Sequence, residues 1–244
     1  MVEITPIDGA PHGANAWGVD LNKPLDAALM KTLADALYEH RVLVIKNQSL
    51  DQPTYLNFGY WWGKPIPHVL DHMRMPGFPE LLAVGNAEEK DKKTEVRNGA
   101  ALWHTDQSYE AVPASTTMLY SILVPKIGGQ TRLANMVAAY DALGDSMKER
   151  IDDLEVAHLY GAGKLLDEEF IANPLATDNQ IGRVPTCHHP LVMRHPVTGR
   201  KALYATGQSS FAIKGMDDAE AVQLLWELKM HAIQDRFVYA HTYE

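Results

Sequence analysis

The sequence predicts a single domain, α/β or β-rich, in which short strands and helices follow one another, and three observations carry that expectation. Short apolar runs, often β-branched, recur between turn residues, as in Arg41–Lys46 and Thr117–Val124. Apolar residues at helical spacing occur between such runs, at Leu25, Ala28, Leu29, Leu33 and Leu37 and again at Ala221, Leu224, Leu225 and Leu228. No internal repeat or linker-like stretch divides the 244 residues.

In chain order, residues 3–8 read as a short strand, and Gly9 to Lys23, rich in Gly, Asn and Pro, as a loop. A helix follows from Leu25, with Asp26 in its first turn, where a carboxylate suits the helix dipole. Arg41–Lys46 reads as a buried strand. Asp51 before Gln52-Pro53 marks the N-cap of a second helix that should stop at Gly63. Pro65 and Pro67 then force an extended exit that carries His68. Pro79 to Val84 is a strand candidate, and the mixed charge run Glu88–Lys93 a solvated loop or a cover for a site. Thr117–Val124 is a strong strand candidate, ended by Pro125. Asn135–Leu143 and Asp145–Leu154 read as helices, and residues 161–185 as a long irregular excursion. His189–Arg194 and Lys201–Tyr204 flank a Pro196–Gly199 turn as a hairpin. Asp217 caps the last helix, and Arg236–Tyr243 closes the chain as a strand. His158 and His231 read as helix-associated histidines; His12, His40 and His72 read as surface ones.

Composition bounds the function. With 46% apolar and 22% charged residues the chain can bury a substantial core. A formal charge of −9 argues against general affinity for nucleic acid or anionic membranes. One cysteine, Cys187, permits no intramolecular disulfide and points to a reducing, cytoplasmic setting. Met1–Thr5 show no secretory signal, and no uncharged run approaches the ~18 residues of a membrane span.

The chemistry centres on Trp103-His104-Thr105-Asp106. If this stretch is extended, period-two alternation puts His104 and Asp106 on one face, where imidazole and carboxylate can take adjacent positions on a metal. With one more histidine they would make the 2-His-1-carboxylate triad of non-haem Fe(II). Alone, His-x-Asp is a weak signal, far more often a chance pair or an imidazole oriented by a carboxylate than a metal site. A zinc site would ask for three or four His or Cys ligands at recognisable spacing, which the sequence lacks.

The longer pattern is more specific. Trp103–Asp106, Met118-Leu119, Val124-Pro125, Gly128-Gly129-Gln130-Thr131, Ala138–Leu143, His189–Val192, His195–Lys201 and Phe237–Tyr239 together resemble the taurine dioxygenase / 2,4-dichlorophenoxyacetate dioxygenase family. The resemblance implies a double-stranded β-helix, a jelly-roll barrel with flanking helices. It also implies an Fe(II)- and 2-oxoglutarate-dependent dioxygenase that uses O2, releases succinate and CO2, and hydroxylates a small, anionic organic substrate. His104 and Asp106 match the first two iron ligands. Thr131 matches the hydroxyl that contacts the distal carboxylate of 2-oxoglutarate. His68, Trp103 and Tyr109 are candidate substrate contacts. Gln130 stands where relatives carry aspartate. The family's third ligand histidine and its 2-oxoglutarate-pairing arginine fall beyond the strand matching Phe237–Tyr243, so this chain is expected to lack them and its last strands. That expectation keeps open a non-catalytic barrel that binds a small molecule through an incomplete metal site. Family members form dimers or tetramers, and nothing in this sequence fixes the oligomeric state.

Overall fold

The computed structural model describes residues 1–69, 71, 74–84, 102–160, 185–204, 206–207 and 209–244; the expected charged loop at 88–93, the excursion at 161–184 and His72 lie outside them. The architecture is mainly strands with a few helices.

At the N-terminal end β1 (Glu3–Pro6), β2 (Ala14–Trp17) and β3 (Leu43–Ile45) form one sheet, β2 in the middle. β1 runs antiparallel to β2, and β3 parallel to it. β2 corrects the expected loop over 9–23. Ala14 and Ala16 are fully buried, and methyl side chains let a central strand lie close under a helix without giving a hydrophobic signal in the sequence. That helix is α1 (Ala27–His40); Asp26 is its N-cap rather than a first-turn residue, accepting a hydrogen bond from the Leu29 N–H at 2.7 Å. Met30, Leu33 and Ala36 form its buried stripe. α2 (Gln52–Trp62) begins as expected, with the Asp51 carboxylate accepting from the Thr54 N–H at 2.9 Å, and ends at Gly63. His12, expected at the surface, is 8% exposed, edge-on to Tyr239 at 6.1 Å. Burial keeps its pKa below the usual imidazole value, with the Arg41 charge adding to the effect.

β4 (Arg74–Met75) and β5 (Phe78–Leu82) make a hairpin. Thr117–Val124 is not a strand, which overturns the strongest strand expectation. Leu119, Ile122 and Leu123 are more than half exposed, and no strand among the described residues lies alongside. β propensity is a preference for a paired, half-buried surface; without a partner it specifies nothing.

The second half is built on α5 (Asp218–Ala232), capped by Asp217, whose carboxylate accepts from the Ala219 N–H at 3.0 Å. Its Ala221, Leu224, Leu225 and Leu228 are at most 1% exposed. They share a core with Ile151, Val156, Leu191, Leu203 and Ile213. Each such Leu, Ile or Val side chain contributes about 1.5–3 kcal/mol by leaving water. The sheet beneath has the order β11 (Ser210–Ile213), β7 (Glu155–His158), β8 (Cys187–Pro190), all antiparallel. The expected hairpin is β9 (Val192–Arg194) with β10 (Lys201–Leu203). The helices α3 (Met136–Asp141) and α4 (Asp145–Ile151) are shorter than expected. His158 is therefore in a strand, fully buried, not on a helix; His231 is on α5, as read. β6 (Thr131–Ala134) pairs antiparallel with β12 (Val238–His241), Thr131 opposite His241.

Candidate functional site

Residues 103–105 are irregular and 106–109 form a turn, so the expected strand is absent here too. The turn brings the two groups together by another route. Gln107 takes a left-handed φ of 53°, an uncommon conformation for a non-glycine residue that reverses the chain just after Asp106. His104 Nε2 and Asp106 Oδ1 lie 3.3 Å apart, both side chains open to solvent, 32% and 46% exposed. His104 Nδ1 is 2.7 Å from the Leu102 carbonyl oxygen. A carbonyl only accepts, so Nδ1 carries the hydrogen and Nε2 is the atom presented to Asp106. The Asp106 hydrogen bond raises the His104 pKa against the opposing effect of burial, with the Leu102 carbonyl adding to the rise. Asp106 is held low, first by its bond to His104 and less by Thr117 and the His68 charge.

These donors fit a ferrous ion. Imidazole nitrogen and carboxylate oxygen are the ligand types of non-haem iron, and a ligating imidazole characteristically donates its other N–H to a carbonyl or carboxylate. Among the described residues no group of three or more His, Cys, Asp or Glu side chains converges on a common point.

Four contacts hold this segment. A Cβ on Gly207 would sit 2.3 Å from the Trp103 carbonyl oxygen and 3.3 Å from the His104 Cα, so only glycine lets the chain at 207 lie against residues 103–104. The sequence reading missed Gly207, because a single glycine in an irregular stretch carries no mark of what it touches. The Gln107 amide donates to the Ile66 carbonyl at 3.2 Å. The Arg132 guanidinium covers the Trp103 ring at 5.4 Å. Tyr109 is buried behind the turn, edge-on to Tyr160 at 4.9 Å. Burial, with smaller effects from Tyr160, Glu110 and Asp106, pushes its hydroxyl far above the usual tyrosine range.

His68 stands edge-on to Tyr160 at 6.1 Å, and its carbonyl accepts from the Arg74 Nε–H at 2.8 Å. His104, Asp106, Trp103, Tyr109 and His68 are thus one neighbourhood. Thr131 is tied elsewhere, its hydroxyl 2.7 Å from that of Tyr243. Its link to the pair runs through Arg132, the next residue, on Trp103. The His241 Nδ1 is engaged by the Tyr239 hydroxyl at 2.8 Å.

The comparisons with known proteins agree on one family. A model described as "Taurine catabolism dioxygenase TauD, TfdA family" matches residues 3–244. A (S)-phenoxypropionate/alpha-ketoglutarate-dioxygenase of Sphingobium herbicidovorans is 32% identical over 99% of this chain and 83% of its own length. An alpha-ketoglutarate-dependent 2,4-dichlorophenoxyacetate dioxygenase of Burkholderia sp. is 31% identical over 92% and 77%. The crystal structure of AAD-2 with Mn(II) and N-oxalylglycine superimposes at a TM-score of 0.77, with 28% identity over all of this chain and 84% of that one. Relatives that are dioxygenases favour the catalytic reading over the non-catalytic alternative.

Proposed function

The chain belongs to the TauD/TfdA family, Fe(II)- and 2-oxoglutarate-dependent dioxygenases that use O2, and we propose that His104 and Asp106 are two of its iron ligands. The observation that carries this is the 3.3 Å approach of His104 Nε2 to Asp106 Oδ1, with His104 Nδ1–H already committed to Leu102. Bound iron, with 2-oxoglutarate and O2, supplies oxidative decarboxylation to succinate and CO2 coupled to hydroxylation of a C–H bond.

The protein's own residues orient and select. The Leu102 carbonyl fixes the ring and tautomer of His104. Thr131, on β6, offers its hydroxyl to the distal carboxylate of 2-oxoglutarate. His68 and Trp103 are the candidate substrate contacts, with Tyr109 behind them, buried, as the third. The substrate is a small organic anion: an aryloxyalkanoate or sulfate ester, the classes named for relatives, or a sulfonate such as the taurine of the family description. The separate sheets are read as parts of one jelly-roll barrel within a single domain. The enzyme acts in the cytoplasm on small molecules, not on nucleic acid or membranes; a homo-oligomer is compatible with this reading and is not required by it. Among the described residues no helix is long and apolar enough to cross a membrane.

The test is Fe(II)- and 2-oxoglutarate-dependent succinate release by the full-length protein, against a panel of aryloxyalkanoates, sulfonates and sulfate esters. Release stimulated by one class assigns the substrate. No stimulation by any, together with no Fe(II) binding, sinks the reading.

A further inference from the structure

One face of β8 is turned toward the ligand turn, and its chemistry is unusual for a strand in a core. Cys187 and His189, two residues apart and so on the same face, reach the main chain of the turn rather than packing on apolar neighbours. The Cys187 Sγ–H lies 3.6 Å from the Ser108 carbonyl oxygen. The His189 Nε2 lies 3.0 Å from the Glu110 carbonyl oxygen, which forces the Nε2–H form of that ring. Two side chains at i and i+2 thus meet two carbonyls at i and i+2, as a neighbouring strand would. His189 is 6% exposed and Ser108 is 1% exposed, so neither bond is replaced by water at low cost. Around them His158, opposite Cys187 in the register, and Tyr204 pack their rings on His189 at 5.2 and 5.7 Å.

The segment so held needs holding. Gln107 keeps a left-handed φ that its side chain disfavours, and such a conformation persists only where the surroundings over-determine it. The local bonds of the turn are modest, Ser108 N–H to Thr105 oxygen at 3.4 Å and Glu110 N–H to Gln107 oxygen at 3.0 Å.

We propose that His189, assisted by Cys187, is a positioning residue: from β8 it clamps the carbonyls of the 108–110 turn and so fixes the direction in which Asp106 faces His104. This rests on the reading of that pair as metal ligands. His189 does not touch the metal, the cosubstrate or the substrate; it acts through the main chain.

The experiment is Mn(II) binding to the full-length protein, read by the loss of the free-ion EPR signal, with melting temperature measured on the same samples. Replacing His189 by Phe keeps an aromatic ring and removes the donor; Mn(II) affinity should fall by up to about 10-fold, the low end of the range for direct partners of metal ligands, because His189 acts at one remove. His189→Gln places an amide N–H near the old Nε2 and should restore most of that loss. Val192→Ala, a truncation in the same core, should lower the melting temperature and leave affinity unchanged. The proposal is overturned if His189→Phe and Val192→Ala behave alike at matched melting temperature, or if the Gln variant binds no better than the Phe variant. Should His189→Phe not fold, Cys187→Ala carries the test, a smaller loss supporting the clamp and none overturning it. His104→Ala separates the two readings. If it binds Mn(II) like the unmodified protein, the ligand assignment falls and the clamp with it. If it does not bind while His189→Phe binds normally, only the clamp falls.

Discussion

The helix α5 and the turn that carries His104 and Asp106 obey opposite rules of construction. On α5 four aliphatic side chains at helical spacing are buried to within 1%, and the helix is fixed by the area it removes from water. The turn at 102–110 keeps His104 and Asp106 open to solvent and is fixed by individual contacts, each to a particular atom: a carbonyl for His104, carbonyls for Cys187 and His189, the bare Cα of Gly207. A core spreads its stability over many interchangeable contacts. A site concentrates its geometry in a few, and each of those is separately breakable.

The sharpest break of that comparison is His104→Ala. It should abolish Fe(II) or Mn(II) binding at a cost in stability of only about 1 kcal/mol, the ordinary worth of a hydrogen bond such as that to Leu102. Metal titration and thermal unfolding on one preparation check both halves. The converse variant is Leu228→Ala on α5, expected to cost roughly 2–5 kcal/mol of stability. Denaturant unfolding should show it, and metal affinity of the folded fraction should not move. If Leu228→Ala weakened the metal as much as His104→Ala, the two regions would not be separable.

The same contrast explains what could be read from the sequence. α2 and α5 were legible because periodicity and caps are local, and Asp51 and Asp217 each accept from the first turn they precede; α1 was legible by its periodicity alone, its cap Asp26 having been read as a first-turn residue. That His104 and Asp106 come together was legible, yet the conformation that brings them together was not, because a left-handed Gln107 has no sequence signature. Thr117–Val124 failed because strand formation depends on a partner that a local window does not contain. β2 failed because Ala14 and Ala16 say little until the helix above them is known. Gly207 and the β8 clamp were invisible for the same reason: their meaning lies in contacts between residues about 80 to 100 positions apart.

His158 tests the boundary between the regions. It is fully buried, and neither ring nitrogen finds a hydrogen-bond partner among the described residues. Burial, with the charges of His189 and His188, depresses its pKa from the ordinary 6.5 to about 4. A depressed folded-state pKa means that the unfolded chain binds the proton more tightly. The associated stability is therefore complete above pH 6.5 and is lost as the pH falls toward 4. A displacement of that size corresponds to at most about 3 kcal/mol. Melting temperature should drop across this window, and His158→Phe should flatten the drop. An unchanged slope in the variant would assign the acid sensitivity elsewhere.

The smallest expected effect asks whether Thr131 belongs to the site or to the frame. Its hydroxyl is bonded to that of Tyr243 across the β6–β12 pair, so Thr131→Val should cost about 1 kcal/mol of stability, the ordinary worth of a hydrogen bond. A purely structural residue would stop there. If the hydroxyl also serves 2-oxoglutarate, the variant should raise the KM for the cosubstrate several-fold, about 1 kcal/mol again, without changing metal affinity or the KM for the substrate being oxidised. Steady-state kinetics with each of the two varied in turn separates the cases. Equal increases in both KM values would mean that valine has disturbed the strand pair rather than removed a ligand contact, because distortion has no reason to single out the cosubstrate.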